Sequence, residues 1–393
     1  MEPAFREYRA DDAVAVCDVL NSVFTQSFIS HEGWYRDTAS DFTAPVAILD
    51  GKIVGAIPLR RRTYRVAPDA QVVAYVEHRV GVAEEVRATG IGSGMQACAK
   101  QFLQGRAEVL LVYRGAERSI GYKFYEKNGF HDVTCIRPYS VGPADGSADG
   151  VKWLGADEFF ANEATWASIF DNCYAPFCGY HVRWPGFLRD MTDSVLWQES
   201  IRHEFAFAML EDQGEPVGYM VVGKRKDAFQ VMDIAVREGS VERLKRLLAA
   251  TQAVSATVGC RATDCSPLAA ACRQLGAPCP PREGAMMIMA HILDIEATAA
   301  KVWHDVPALR DVEVRVWTPE REGVIHQANN PARTLTLELK EHMLSRLLLR
   351  RLDLAVAVAE DRITLRHAEA GDAQALAQAL PPCPWVYHQI DYL

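Results

Sequence analysis

"VGVAEEVRATGIGSGMQ", residues Val80–Gln96, begins with the β-branched residues of a strand and ends with the pattern of a helix. Arg87, Gly90, Gly92 and Gly94 crowd the turn between them. A tight turn needs one glycine at most, so the surplus implies that something comes very near the backbone. The first amides of a helix lack intrahelical acceptors and carry the positive end of its dipole, a combination that suits phosphate. Arg87 adds a fixed positive charge, and a pyrophosphate is the natural guest. Other phosphate loops fit worse. No G-x-x-x-x-G-K-[ST] run is present, and Gly90, Gly92 and Gly94 are misspaced for a G-x-G-x-x-G dinucleotide turn.

The flanks supply a mixed α/β unit. Val14, Val16, Val19, Leu20, Val23 and Phe24 mark one helical face, with Asp11 or Asp12 as its cap. "PVAILDGKIVGAIPLRRRTY" reads as two strands joined at Asp50-Gly51, a strong hairpin signal. "QVVAYVEHRVGV" is a further strand. After the glycines come a helical stripe (Ile91, Met95, Cys98, Phe102, Leu103), the buried strand "VLLVY" and a helix that stops at Asn128-Gly129.

The polar stretch "VGPADGSADG" reads as a linker near residue 150. Beyond it the plan repeats in outline. "EFAFAMLEDQGEPVGYMVVGKRK" echoes the first hairpin and "QVMDIAV" the following strand, yet "REGSVERLKRLL" enters its helix without the glycine cluster. The second copy therefore keeps the scaffold without the phosphate turn. From about residue 293 the texture changes to a third, α+β unit of about a hundred residues. The tail "PPCPWVYHQIDYL" is too apolar for a frayed end and is expected to dock on the body.

Composition narrows the class. The 393 residues carry a formal charge of −9, which argues against nucleic acid or an anionic membrane surface as partner. No stretch approaches the ~20 apolar residues of a membrane span, and the N-terminus has no signal-peptide core. The ten cysteines are scattered, with no zinc spacing, and read as free thiols. No metal site is expected, and the address is a reducing cytoplasm.

The stretch "VGVAEEVRATGIGSGM", with "FYEKNGF" downstream, resembles the acyl-CoA motif of the GNAT N-acetyltransferase superfamily. The resemblance implies that the pantetheine arm of acetyl-CoA, the cosubstrate, pairs with Val80, Gly81 and Val82. It likewise puts the pyrophosphate on Arg87, Ala88, Thr89, Gly90, Ile91, Gly92 and Ser93. Two departures stand out: Ala83-Glu84 replaces the usual turn proline, and Arg118 stands where many members have asparagine. The layout as a whole resembles the Eis (enhanced intracellular survival) acetyltransferase group. That group implies a GNAT domain at 1–145, a degenerate GNAT-like copy at 146–292 and a sterol-carrier-protein-like α+β domain at 293–393.

The same resemblance implies an N-acetyltransferase acting on an aminoglycoside-, polyamine- or lysine-like primary amine, and a homo-oligomer. Tyr125 matches the family's proton donor to the leaving thiolate; a phenol of pKa ~10 is protonated at neutral pH. In the Eis group the base is the terminal carboxylate, which here belongs to Leu393. His78 and Glu77, just before Val80, are the rivals, and strand alternation turns them to opposite faces. A different class also fits: a non-catalytic lipid-binding module in which Leu344, Leu347, Leu348 and Leu349 line an apolar tunnel.

Overall fold

A computed structural model of the chain describes residues 2–24, 41–114, 119–142, 147–194, 204–225, 228–252, 255, 257–281 and 285–392. The first segment runs β1 (Ala4–Glu7), α1 (Ala13–Val23), β2 (Phe42–Thr43), β3 (Pro45–Leu49), β4 (Lys52–Ala56), β5 (Leu59–Ala67), β6 (Ala70–Glu77) and β7 (Gly81–Val82). It continues with α2 (Ile91–Leu103), β8 (Val109–Arg114), α3 (Ile120–Lys127) and β9 (His131–Val141). Asp50 and Gly51 both take positive φ (52° and 76°) between β3 and β4, as a two-residue hairpin turn requires. Asp12 precedes α1 without capping it, because its carboxylate is held by both terminal nitrogens of Arg6 at 2.6 and 2.8 Å.

The second segment repeats this alternation: β10 (Val151–Leu154), α4 (Ala156–Ala161), α5 (Glu163–Tyr174), β11 (Tyr180–His181), α6 (Phe187–Thr192), β12 (Glu204–Asp212), β13 (Glu215–Arg225) and β14 (Ala228–Val236). Then follow α7 (Val241–Gln252), β15 (Val258–Ala262), α8 (Pro267–Gln274) and β16 (Met286–Ile292). The third holds α9 (Ile295–Val302), β17 (Val312–Trp317), β18 (Glu322–His326), β19 (Arg333–Glu338), α10 (Glu341–Leu348), α11 (Leu354–Ala359), β20 (Thr364–Arg366) and α12 (Asp372–Ala379).

Among the described residues the first two segments share one long sheet, ordered β10-β12-β13-β14-β15-β9-β16-β8-β6-β5-β11, with β2 on β5. β16 lies between β8 and β9, antiparallel to both, while β9 reaches across to β15. A smaller sheet, β1-β3-β4-β7, stands beside it, and the third segment has its own, β18-β17-β19-β20. No described helix is long and apolar enough to cross a membrane.

The tail is built into the protein. Trp385 is fully buried, and its indole N–H donates to the Leu349 carbonyl at 3.1 Å. The Cys178 N–H donates to the Pro384 carbonyl and the Val386 N–H to the Cys178 carbonyl, at 3.0 and 2.8 Å. Gly179, at φ +85°, packs against the indole where a Cβ would collide with it. Leu344, Leu347, Leu348 and Leu349 lie in the same core as Trp385, Leu335 and Tyr64 of β5, so they fill the seam between the third segment and the long sheet. Removing a side chain from such a junction leaves a cavity that its neighbours close only in part. Trp385→Ala is expected to lower the free energy of unfolding by ~3–5 kcal/mol. Trp153→Ala, on half-exposed β10, should cost under ~0.5 kcal/mol, both read by urea denaturation.

Candidate active site

β6 and β8 run parallel from Ala74↔Val109 to Glu77↔Val112, and there they part. β8 continues to Arg114 beside β16, whereas the chain after β6 swings away through Arg79, at φ 49°, and joins β4 as β7. In the antiparallel β4–β7 pair, the Ala83 N–H donates to the Val54 carbonyl at 2.8 Å, so alternate residues face β4. Val80 and Val82 are out of step with Ala83 and turn their backbone groups to the open side of the fork. One of those groups, the Val82 carbonyl, accepts a bond from Arg87 Nε at 3.1 Å.

The expected phosphate turn sits at the mouth of this fork. Ala88 (φ 63°) and Gly90 (φ 91°) are both left-handed, with Thr89 between them. Such alternation folds successive N–H groups into a concavity that favours anions. Gly90 is the N-cap of α2, no side chain caps the helix, and the first intrahelical bond is that of Gly94 N–H to the Gly90 carbonyl. The amides at the start of α2 thus lack internal partners, and Arg87 through Gly90 are exposed beside them. Nothing lies near Gly90, where the backbone conformation needs glycine. The other two glycines answer to the protein's own rings. A Cβ on Gly92 would come 2.9 Å from Phe124 of α3, and one on Gly94 would strike Phe5 of β1. Ala83 has φ −54°, a value that a proline would also take; as alanine it supplies the bond to Val54.

Glu77 lies at the apex of the fork and is buried. It accepts a hydrogen bond from Gln96 Nε2 of α2 at 2.8 Å, while its Oε1 has no hydrogen-bond partner among the described residues. Burial pushes its pKa up to about 8, against the weaker pull of Gln96, Tyr125 and Lys100. Tyr125 of α3 reaches the same carboxyl. Burial first, and then the Glu77 charge, hold its phenol protonated well above the usual range. Its ring packs on Phe130 and lies under the Arg114 guanidinium, 5.8 Å away. His78 takes the opposite face, as alternation requires. Burial, with Arg60, Arg62 and Arg79 close by, holds its imidazole neutral well below the ordinary pKa.

The chain end meets this region. Leu393 lies outside the described residues, as does Arg118. Tyr392 is in view, with its ring 5.8 Å from that of Tyr113 on β8 and with Arg79 and Tyr125 nearby. Val80, Gly81, Val82, Glu77, Tyr125 and the 87–93 turn therefore gather around one fork, and His78 faces away from Tyr125. Sequence reading missed Gln96, Arg79, Arg114 and Tyr113. Gln96 alone left a signal: it is a polar residue one position past Met95 on an otherwise apolar helical stripe.

Residues 40–132 match the family model for an acetyltransferase (GNAT) domain. No curated protein matches the chain by sequence at a significant level. Among solved structures, a GCN5-related N-acetyltransferase from Anabaena variabilis is 12% identical over 100% of both chains, with a TM-score of 0.71. A conserved protein of unknown function from Enterococcus faecalis, described as a probable N-acyltransferase, is 12% identical over 100% of both chains, with a TM-score of 0.73. Eis1 from Mycobacterium abscessus is 14% identical over 98% of this chain and 99% of its own, with a TM-score of 0.63. At such identities the likeness is one of fold.

The raised pKa of Glu77 has a thermodynamic consequence. The folded protein keeps a proton that the unfolded chain releases above pH ~4.5, so Glu77 lowers stability progressively up to about pH 8. Above that the penalty is constant. Glu77→Gln should match the wild type near pH 4.5 and exceed it by a few kcal/mol at pH 8.5, measured by denaturant titration across that range.

Proposed function

We propose that the chain, whose residues 40–132 match the family model for an acetyltransferase (GNAT) domain, is an acyltransferase that moves an acetyl group from acetyl-CoA to a primary amine. The observation that carries this reading is the parted β6–β8 pair with the uncapped start of α2 at its mouth. An amide-bearing arm can add to the open edge at Val80–Val82 as a strand would. A diphosphate suits the amides and the charge of Arg87, Ala88, Thr89, Gly90, Ile91, Gly92 and Ser93. Gly92 takes part through its amide, since its missing side chain is accounted for by Phe124.

The reaction has a fixed proton balance. The attacking amine must lose a proton, and the departing thiolate must gain one. Tyr125, kept protonated by its burial, is the donor to the thiolate. Glu77 is itself mostly protonated at neutral pH, so it can restore that proton. For the base, the surroundings favour the Leu393 carboxylate over His78. An imidazole crowded by Arg60, Arg62 and Arg79 resists becoming a cation, which counts against His78 as the base.

The acceptor in this reading is an aminoglycoside-, polyamine- or lysine-like amine bound between the first two segments and the tail, in keeping with the chain's net negative charge. The units are residues 1–145, 146–292 and 293–393, the second a degenerate GNAT-like copy. A four-stranded sheet accompanied by helices supports a sterol-carrier-like third unit. Cytoplasmic placement and self-association complete the proposal.

Release of CoA thiol in the presence of an amine panel tests it. Tyr125→Phe should lower kcat by ~10²-fold or more while the KM for acetyl-CoA stays within about twofold. Extending the chain by one glycine should likewise depress kcat, because the carboxylate then ends elsewhere. No thiol release with any amine of the three classes would overturn the proposal.

A further inference from the structure

The tail carries a buried carboxylate that the acetyl-transfer chemistry does not use. Asp391 is 1% exposed, and its Oδ2 accepts a bond from the His181 backbone N–H at 3.2 Å. Its Oδ1 has no hydrogen-bond partner among the described residues. Two neighbouring side chains, equally buried, also leave an atom unsatisfied: His181 Nδ1 and His388 Nε2. The nearest strong cation is already engaged. Arg183 makes a two-pronged pair with Asp233 at 2.7 and 2.8 Å, and Asp233 also accepts from Tyr219 and faces His388 Nδ1 at 3.1 Å. Asp391 is thus held by a main-chain hydrogen bond and by no ion pair among the described residues.

Such a carboxylate is a poor structural anchor. An apolar or amide side chain of similar size would avoid the desolvation cost, and native interiors rarely leave several polar atoms together without partners. Its connections point elsewhere. His181 Nε2 bonds the Tyr64 hydroxyl at 2.8 Å, the Tyr64 hydroxyl bonds that of Tyr113, and the Tyr113 ring lies 5.8 Å from Tyr392. The path from Asp391 through β11, β5 and β8 returns to the residue next to Asp391. It closes a circuit around the chain end, and shifting one member moves Tyr392 relative to Tyr113.

We infer that Asp391 is a positioning residue: by accepting the His181 amide it sets where Tyr392 sits beside Tyr113. The inference rests on the reading of the fork as an acetyl-transfer site, and it assigns the second segment a task there. His181, from a segment without the phosphate turn, holds both the tail and the sheet of the first segment.

Two readouts test it on the full-length protein. The first is the rate at which a carboxypeptidase removes the final residues, which reports local opening of the tail. Asp391→Ala should raise that rate at least tenfold, and Asp391→Asn, which keeps an oxygen for the His181 amide, should restore it to near wild type. The second is acetyl transfer. Asp391→Ala should lower kcat about tenfold with the KM for acetyl-CoA within twofold, and Asn should recover most of the loss. Tyr64→Phe breaks the circuit without touching the tail, and should shift both readouts the same way; it decides the matter if the alanine variant does not fold. Tail release at the wild-type rate in these variants, or an unchanged kcat, overturns the inference. A wild-type protein idle with every amine would overturn the acetyl-transfer reading instead, while tail release would still decide the role of Asp391.

Discussion

The parting of β6 and β8 after Glu77 and Val112 is the constraint from which the rest follows. Two parallel strands that stop pairing leave backbone N–H and C=O groups without a ladder, and buried groups of that kind are expensive unless something else bonds them. The chain meets part of this need itself: β7 moves over to β4, and Arg87 takes the Val82 carbonyl. The opening is lined on one side by β7 and on the other by Tyr113 and Arg114 at the end of β8. It offers an extended, amide-rich chain a place that a closed sheet would not.

The two residues at the apex show how burial sorts neighbours. Glu77 and His78 adjoin in sequence yet face different surroundings. Glu77 meets Gln96 and a phenol, and burial makes it hold its proton. His78 meets Arg60, Arg62 and Arg79, and burial together with those charges makes it refuse one. Both are electrically neutral at pH 7, for opposite reasons.

The tail explains why three segments behave as one protein. It adds a parallel bridge at Cys178, places Trp385 in the core between the third segment and the long sheet, and brings His388 to Asp233. Asp233 keeps its charge although burial opposes this, because the Arg183 guanidinium grips both its oxygens. β16 reinforces the union by lying between β8 and β9. The first segment's sheet is therefore completed by a strand made almost 150 residues later.

Local chemistry alone determined a good deal. Asp50-Gly51 dictates a hairpin, Gly90 a left-handed helix entry, and the alternation of β6 turns Glu77 and His78 apart. The apolar tail demanded burial because Trp385, Val386, Tyr387 and Ile390 could not all stay in water. These features depend on φ, on periodicity or on hydropathy, all of which a short window of chain contains. Tertiary structure decided the rest. Gly92 and Gly94 are small because Phe124 and Phe5 occupy the space, and nothing within the turn announces either ring. The arginines around His78, the carboxyl beside Tyr125 and the circuit through His181 exist only where strands far apart in sequence come together. Desolvation and charge act through space, and the linear order of residues does not record those distances.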